Sequence, residues 1–273
     1  MRAWLDGHLL TDSDAPAIRL TDHGFTVGDG VFEAVKVVDS QPFALTRHVD
    51  RLARCAAALG LPPVDEAEVR RGVASVLAGE PLPLGRIRIT YTAGPSPLGS
   101  GRGEGRPTLA VVASAMAPYP DSASVATVPW PRNEHGALAG LKTTSYAENV
   151  VALARAAELG ASEAVFANTA GNLCEGTGSN VFYVIGGELR TPTLASGCLA
   201  GVTRALLLEW LDVREIDEPI GVLREASEIF LASTTRDVQG VHNCDDRLLA
   251  APGPVTRDAA RIFAERAAKG IDP

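Results

Sequence analysis

Hydrophobic and polar positions follow two periods along this chain. Residues 1–10 suggest a strand and turn, while 31–38 (VFEAVKVV) have the branched and aromatic content of a strand after the glycine-bearing turn GDG. Residues 86–93 (RIRITYTA) alternate as a strand, and 108–115 (TLAVVASA) predict a buried one. Elsewhere the period lengthens. Leu45, Val49, Leu52 and Leu59 fall near helical spacing and Gly60 supplies a stop, so 45–60 predicts a helix, with a second over 65–78.

The segment APYPDSAS, with Pro118 and Pro120 after an apolar strand, has the composition of a linker and places a boundary at 116–122. Beyond it the pattern predicts strand, helix, strand, a hairpin turning at Gly186 and Gly187, a helix entered through Gly201, a strand, and an amphipathic helix at 255–268. The fold class is therefore α/β, with a small α+β N-terminal domain (1–118) and a larger α/β C-terminal domain (119–273). Two unlike domains on a short linker predict a cleft between them, a common place for a cofactor.

Composition narrows the classes. At 273 residues, 46% hydrophobic and 21% charged, with mean hydropathy +0.08, the chain is enzyme-sized and fits neither disordered nor coiled-coil sequences. A net charge of -8 opposes binding to a polyanion, so no nucleic-acid partner is expected. The widely separated Cys55, Cys174, Cys198 and Cys244 have no metal-ligand spacing, and the apolar stretch at the N-terminus is broken by Asp6 and His8. No metal, no membrane span and a cytoplasmic location are the expectations. There are three lysines, Lys36, Lys142 and Lys269, against twenty-two arginines, which shortens any search for amine chemistry.

Lys142 stands in LKTTSYAENVVALARAAELGA, where Ser145 and Glu148 have the spacing of a capping box for a helix that runs to Gly160. It is either a surface lysine or a partly desolvated amine, with a pKa falling from about 10.4 toward neutrality and competent for Schiff-base chemistry. Downstream, the backbone amides of Val202 and Thr203 open a helix and would face an anion there. Glu175, in an EGTGSN turn, Arg51 on the first helix, and the hydroxyl cluster Ser233, Thr234 and Thr235 each read equally well as solvated charge or loop-satisfying residues.

Together, DHGFTVGDGVFEAVKV, RHVDRL, LKTTSYAEN, CEGTGSNVFYV, LAGVTR and FLASTTRDV resemble the class IV aminotransferases, the fold-type IV enzymes dependent on pyridoxal 5'-phosphate, over nearly the whole chain. The resemblance implies that Lys142 is the Schiff-base lysine and moves a proton, and that Glu175 pairs with the pyridine nitrogen. It implies that Arg51, Val202, Thr203 and Thr234, with Ser233 beside it, hold the phosphate, and that Leu199 packs on the ring. Tyr146 matches an active-site tyrosine. A homodimer is implied too.

Three branches of that family compete. VFEAVKV and the STT triplet are most similar to the D-amino-acid branch, yet that branch has a tyrosine where Phe32 stands and a carboxylate-binding arginine near Ala93. If 86–93 is a strand, Arg86, Arg88, Thr90 and Thr92 share one face, so Arg88 is either a replacement anchor for a substrate carboxylate or part of a solvated face. Lys36 is likewise a substrate-side charge or a surface residue. The reading favoured is a transaminase moving an amino group from a D-amino acid or (R)-amine to a 2-oxo acid. The alternatives are a 4-amino-4-deoxychorismate lyase and, behind it, a branched-chain L-amino-acid transaminase.

Overall fold

The computed structural model describes residues 1–273. The chain divides into two units, Met1–Pro118 with Leu141–Tyr146 and Ile271–Pro273, and Tyr119–Gly140 with Ala147–Gly270.

The first unit is built on a six-stranded sheet. Its strands are β1 (Arg2–Leu5), β2 (His8–Leu9), β3 (Gly30–Val38), β4 (Gln41–Pro42), β5 (Leu84–Thr92) and β6 (Thr108–Ala115), in the order β2-β1-β6-β5-β3-β4. Antiparallel pairing sets Phe32 against Thr90, Ala34 against Arg88 and Lys36 against Arg86. With a side-chain period of two, this register sends Val31, Val35, Val37, Ile87, Ile89 and Tyr91 into the core. There they meet Val49, Leu52 and Cys55 of α2 (Leu45–Ala58), which follows the single-turn α1 (His23–Thr26), and Val69, Val73 and Val76 of α3 (Glu66–Leu77). Each fully buried branched side chain contributes about 1.5–3 kcal/mol. The opposite face carries Phe32, Ala34, Lys36, Arg86, Arg88 and Thr90. Strand β6 alternates rather than being buried throughout: Leu109, Val111 and Ala113 point to the core, and Ala110 and Val112 are half-buried.

Residues 141–146 belong to this first unit, which corrects the expectation that Lys142 lies in the domain formed by 119–273. Strand β4 pairs only with Val37 and Val38, so the start of β3 has an open edge. The incoming segment fills it. Phe32 N donates to Lys142 O at 3.0 Å, Thr144 N donates to Gly30 O at 2.8 Å, and Val31 bridges Thr143. The capping box does not form either. Ser145 Oγ instead donates to Gly28 O at 3.0 Å, and Glu148 is drawn into an ion pair with Arg132.

The second unit holds a nine-stranded mixed sheet. Its main path uses β7 (Ser122–Thr127), β8 (Glu163–Ala167), β9 (Leu173–Gly176), β10 (Asn180–Ile185), β11 (Glu188–Thr191), β12 (Arg214–Glu215), β13 (Glu228–Ser233) and β14 (Asp237–Cys244), in the order β12-β11-β10-β13-β14-β7-β8-β9. β15 (Arg247–Leu248) pairs with β14. Gly186 and Gly187 both take positive φ, the conformation that a tight β10–β11 turn demands. Helix α4 (Ala147–Glu158) lays Ala152 and Ala156 on the sheet beside Phe166 and Cys174; small residues one turn apart let its backbone approach closely. Helices α5 (Val202–Trp210) and α6 (Pro254–Ala267) meet at Trp210 and Phe263, 5.4 Å between ring centroids. No helix is long and apolar enough to cross a membrane.

Candidate active site

On the first unit the strand register gathers four of the residues singled out in the sequence. The Lys142 Nζ lies 4.3 Å from the centroid of the Phe32 ring and 5.8 Å from that of Tyr146. Phe32 and Tyr146 meet edge to face at 5.2 Å, and the Arg88 guanidinium carbon stands 3.8 Å from the Phe32 centroid. Lys142 and Tyr146 are half-buried, so the amine sits against aromatic walls rather than in bulk water. Arg88 is exposed as a residue, but its guanidinium is laid on the Phe32 ring and turned by Thr90, whose Oγ1 accepts from Nε at 3.3 Å. Lys36 is half-buried further along the same sheet face.

Arg51 takes the other side of β3. Its Nε and Nη2 donate to the two oxygens of Glu33 at 2.7 and 2.6 Å, and His48 Nδ1 approaches Glu33 Oε2 at 2.7 Å. All three side chains are buried. Burial alone pushes the Glu33 carboxyl up, but the charges and hydrogen bonds of Arg51 and His48 overcome it and hold the pKa at about 2. Burial dominates at His48 and lowers it below its ordinary value, with a smaller push in the same direction from the Lys142 charge. The sequence carried a sign of this cluster: Glu33 occupies a core position in the alternation Val31, Glu33, Val35, Val37.

On the second unit the structure joins Glu175 to Leu199. Leu199 N donates to Glu175 Oε2 at 2.9 Å, and Asn180 Nδ2 donates to Leu199 O at 2.9 Å, so the loop before α5 is pinned from both sides. A Cβ at Gly201 would fall 2.1 Å from Asn180 Oδ1, which explains glycine at the N-cap. Without a side chain there, no residue caps the helix, and the amides of Val202 and Thr203 point out of its first turn. Ser233 and Thr234 are half-buried in the connection from β13 to β14.

Arg132 escaped the sequence reading. Its guanidinium lies 4.2 Å over the Phe166 ring, bonds to Glu148 and to Asn149 Oδ1 (2.8 Å), and brings Nε to 3.5 Å from Glu175 Oε1. That Nε is buried and lacks a hydrogen-bond partner. The cysteines offer no nucleophile. All four are buried and free, and burial pushes Cys198 up to about 11 and Cys244 to about 12, with Cys174 raised further.

These elements match a known family. The profile described as amino-transferase class IV covers residues 30–244, and the chain belongs to the class IV aminotransferases. It is an enzyme of that family, whose cofactor is pyridoxal 5'-phosphate. Among relatives, a Mycobacterium tuberculosis protein named bifunctional aminodeoxychorismate lyase / D-amino acid transaminase is 30% identical, with 96% of this chain and 95% of that protein covered. The branched-chain aminotransferase of Thermoproteus uzoniensis, solved with norvaline, superposes with a TM-score of 0.90 at 26% identity, covering 97% of this chain and 94% of that one. A hypothetical aminotransferase from Mycobacterium tuberculosis in its PLP-bound form gives a TM-score of 0.85 at 27% identity, covering 97% and 98%.

The chain holds the kinds of group that cofactor's chemistry calls for: a half-buried amine at Lys142, a carboxylate at Glu175 and an uncapped helix start at Val202.

Proposed function

We propose that the chain is a transaminase that takes an amino group from a D-amino acid or a small (R)-amine and passes it to a 2-oxo acid, with Lys142 as the catalytic residue. The observation that carries this reading is the half-buried Lys142 amine, set against the Phe32 and Tyr146 rings at 4.3 and 5.8 Å. Bound pyridoxal phosphate supplies an aldehyde for that amine and a ring that withdraws electrons from the carbon losing its proton.

The protein's own residues do the rest. Lys142 Nζ accepts the proton from the donor's α-carbon and returns one, Glu175 holds a negative charge for the ring nitrogen, and Leu199 packs on the ring. Arg51, the Val202 and Thr203 amides, the Thr203 hydroxyl, Ser233 and Thr234 grip the phosphate. Arg88 receives a donor carboxylate, with Phe32 and Lys36 completing the substrate side. The favoured donor class rests on the sequence resemblance and on a relative whose name includes D-amino acid transaminase. That same name supports the second reading, 4-amino-4-deoxychorismate lyase, in which Cα deprotonation is shared but a leaving group is expelled. A homodimer is proposed too, on the family resemblance, with the α4 face that carries Val150 and Val151, 63% and 53% exposed, as part of its interface.

Borohydride reduction of the yellow protein should fix the cofactor to Lys142, and Lys142→Ala should abolish turnover. An adduct on Lys36 or Lys269 would refute the assignment. The donor class is tested in the same preparation with D-alanine, L-leucine, (R)-1-phenylethylamine and aminodeoxychorismate. D-Alanine or the amine should react fastest. Arg88→Ala should raise KM about tenfold or more for D-alanine and leave the amine, which has no carboxylate, unaffected. Release of 4-aminobenzoate without keto-acid exchange would make the lyase the correct reading.

A further inference from the structure

The largest convergence of donors on one buried carboxylate lies outside every residue named so far for the reaction. Glu163, the first residue of β8, is 1% exposed. Its Oε1 accepts from Thr177 N at 3.0 Å, from the Thr177 hydroxyl, and from Ala164 N at 3.3 Å. Its Oε2 accepts from Ser179 Oγ at 3.3 Å and from Arg236 Nη2 at 3.2 Å. Thr177 and Ser179 lie in the turn after β9, the strand that carries Glu175 and ends at Gly176. Arg236 closes the connection that carries Ser233 and Thr234, and its backbone N donates to Ser233 O at 3.2 Å. Its guanidinium is held from the remaining sides by Gln239 Oε1 at 2.5 Å and by the Tyr119 ring at 4.5 Å.

A carboxylate taken out of water is strongly destabilising unless its lone pairs are met, and here donors from two separate segments meet them. A packing role alone would be served by an apolar side chain. We propose that Glu163 is a positioning residue: through Arg236 it fixes the Ser233–Thr234 connection in the shape that receives the cofactor's phosphate. This rests on the reading that Ser233 and Thr234 contact that phosphate. Glu163 itself touches neither cofactor nor substrate.

The test compares two ligands of the cofactor-stripped full chain, pyridoxal 5'-phosphate and pyridoxal, by absorbance titration. Both react with the same amine, so the ratio of their Kd values isolates the phosphate contribution. Wild type should prefer the phosphate ester strongly, and Glu163→Gln, which keeps the side chain's shape, should shrink that preference about tenfold with pyridoxal affinity unchanged. Arg236→Gln removes the same ion pair from the loop side and should give the same loss if the first variant folds poorly. An unchanged ratio in a folded variant, or equal weakening of both ligands alongside a lowered Tm, overturns the proposal. A wild-type protein that does not distinguish the two ligands overturns the phosphate reading itself, and this inference with it.

Discussion

Single side chains here do two kinds of electrostatic work. Lys142 and Arg88 both use the Phe32 ring as a wall, so one aromatic residue orients two cations. Glu33 does the opposite, using one carboxylate to fix the buried side chains of Arg51 and His48. Its pH consequence has a definite sign. Glu33 has a folded pKa of about 2 against an ordinary 4.5, so its stabilisation is present above the ordinary value and is lost as pH falls toward 2. His48, lowered by burial, adds to the acid loss because the unfolded chain takes up that proton first. Glu33→Gln leaves the Arg51 charge buried without its counter-ion and should cost on the order of 3 kcal/mol at pH 7. In thermal melts the variant should be less stable at neutral pH, yet lose less between pH 4.5 and 2 than wild type. Parallel acid slopes would contradict this account.

At the scale of elements, function depends on how segments end and join. The Lys142 segment is shaped by the open edge at the start of β3, and the entry to α5 by Glu175, Asn180 and the absence of a side chain at Gly201. Gly201→Ala should push Asn180 off the Leu199 carbonyl, lower stability by about 1–3 kcal/mol through the lost buried hydrogen bond, and weaken cofactor binding more than it changes kcat. Titration with the cofactor and a melting curve check both parts, and unchanged affinity would show that the helix entry is not part of the phosphate grip. The capping box illustrates how an element signal fails. The spacing at Ser145 and Glu148 is correct, but a backbone carbonyl at Gly28 and the cation of Arg132 compete better for the two side chains.

For the molecule as a whole, sedimentation should give twice the chain mass of 28.5 kDa. Val151→Glu, which sets a charge on the exposed face of α4, should shift it toward a single chain. A monomeric wild type would end the homodimer proposal. The fold class was legible from one sequence because strand and helix periods, glycine turns and prolines act locally, and each of them constrains a few consecutive residues. The family was legible because its chemistry needs particular side chains in a particular order. Other relations required the tertiary structure. Nothing near Arg132 signals Phe166 or Glu175, and nothing near Glu163 signals Arg236, 73 residues away. The attachment of Lys142 to β3 rather than to the helix that follows it is of the same kind. Periodicity reports which face of an element is apolar, whereas pairing across sheet edges and between buried charges depends on which distant segments share one volume, and only the folded chain decides that.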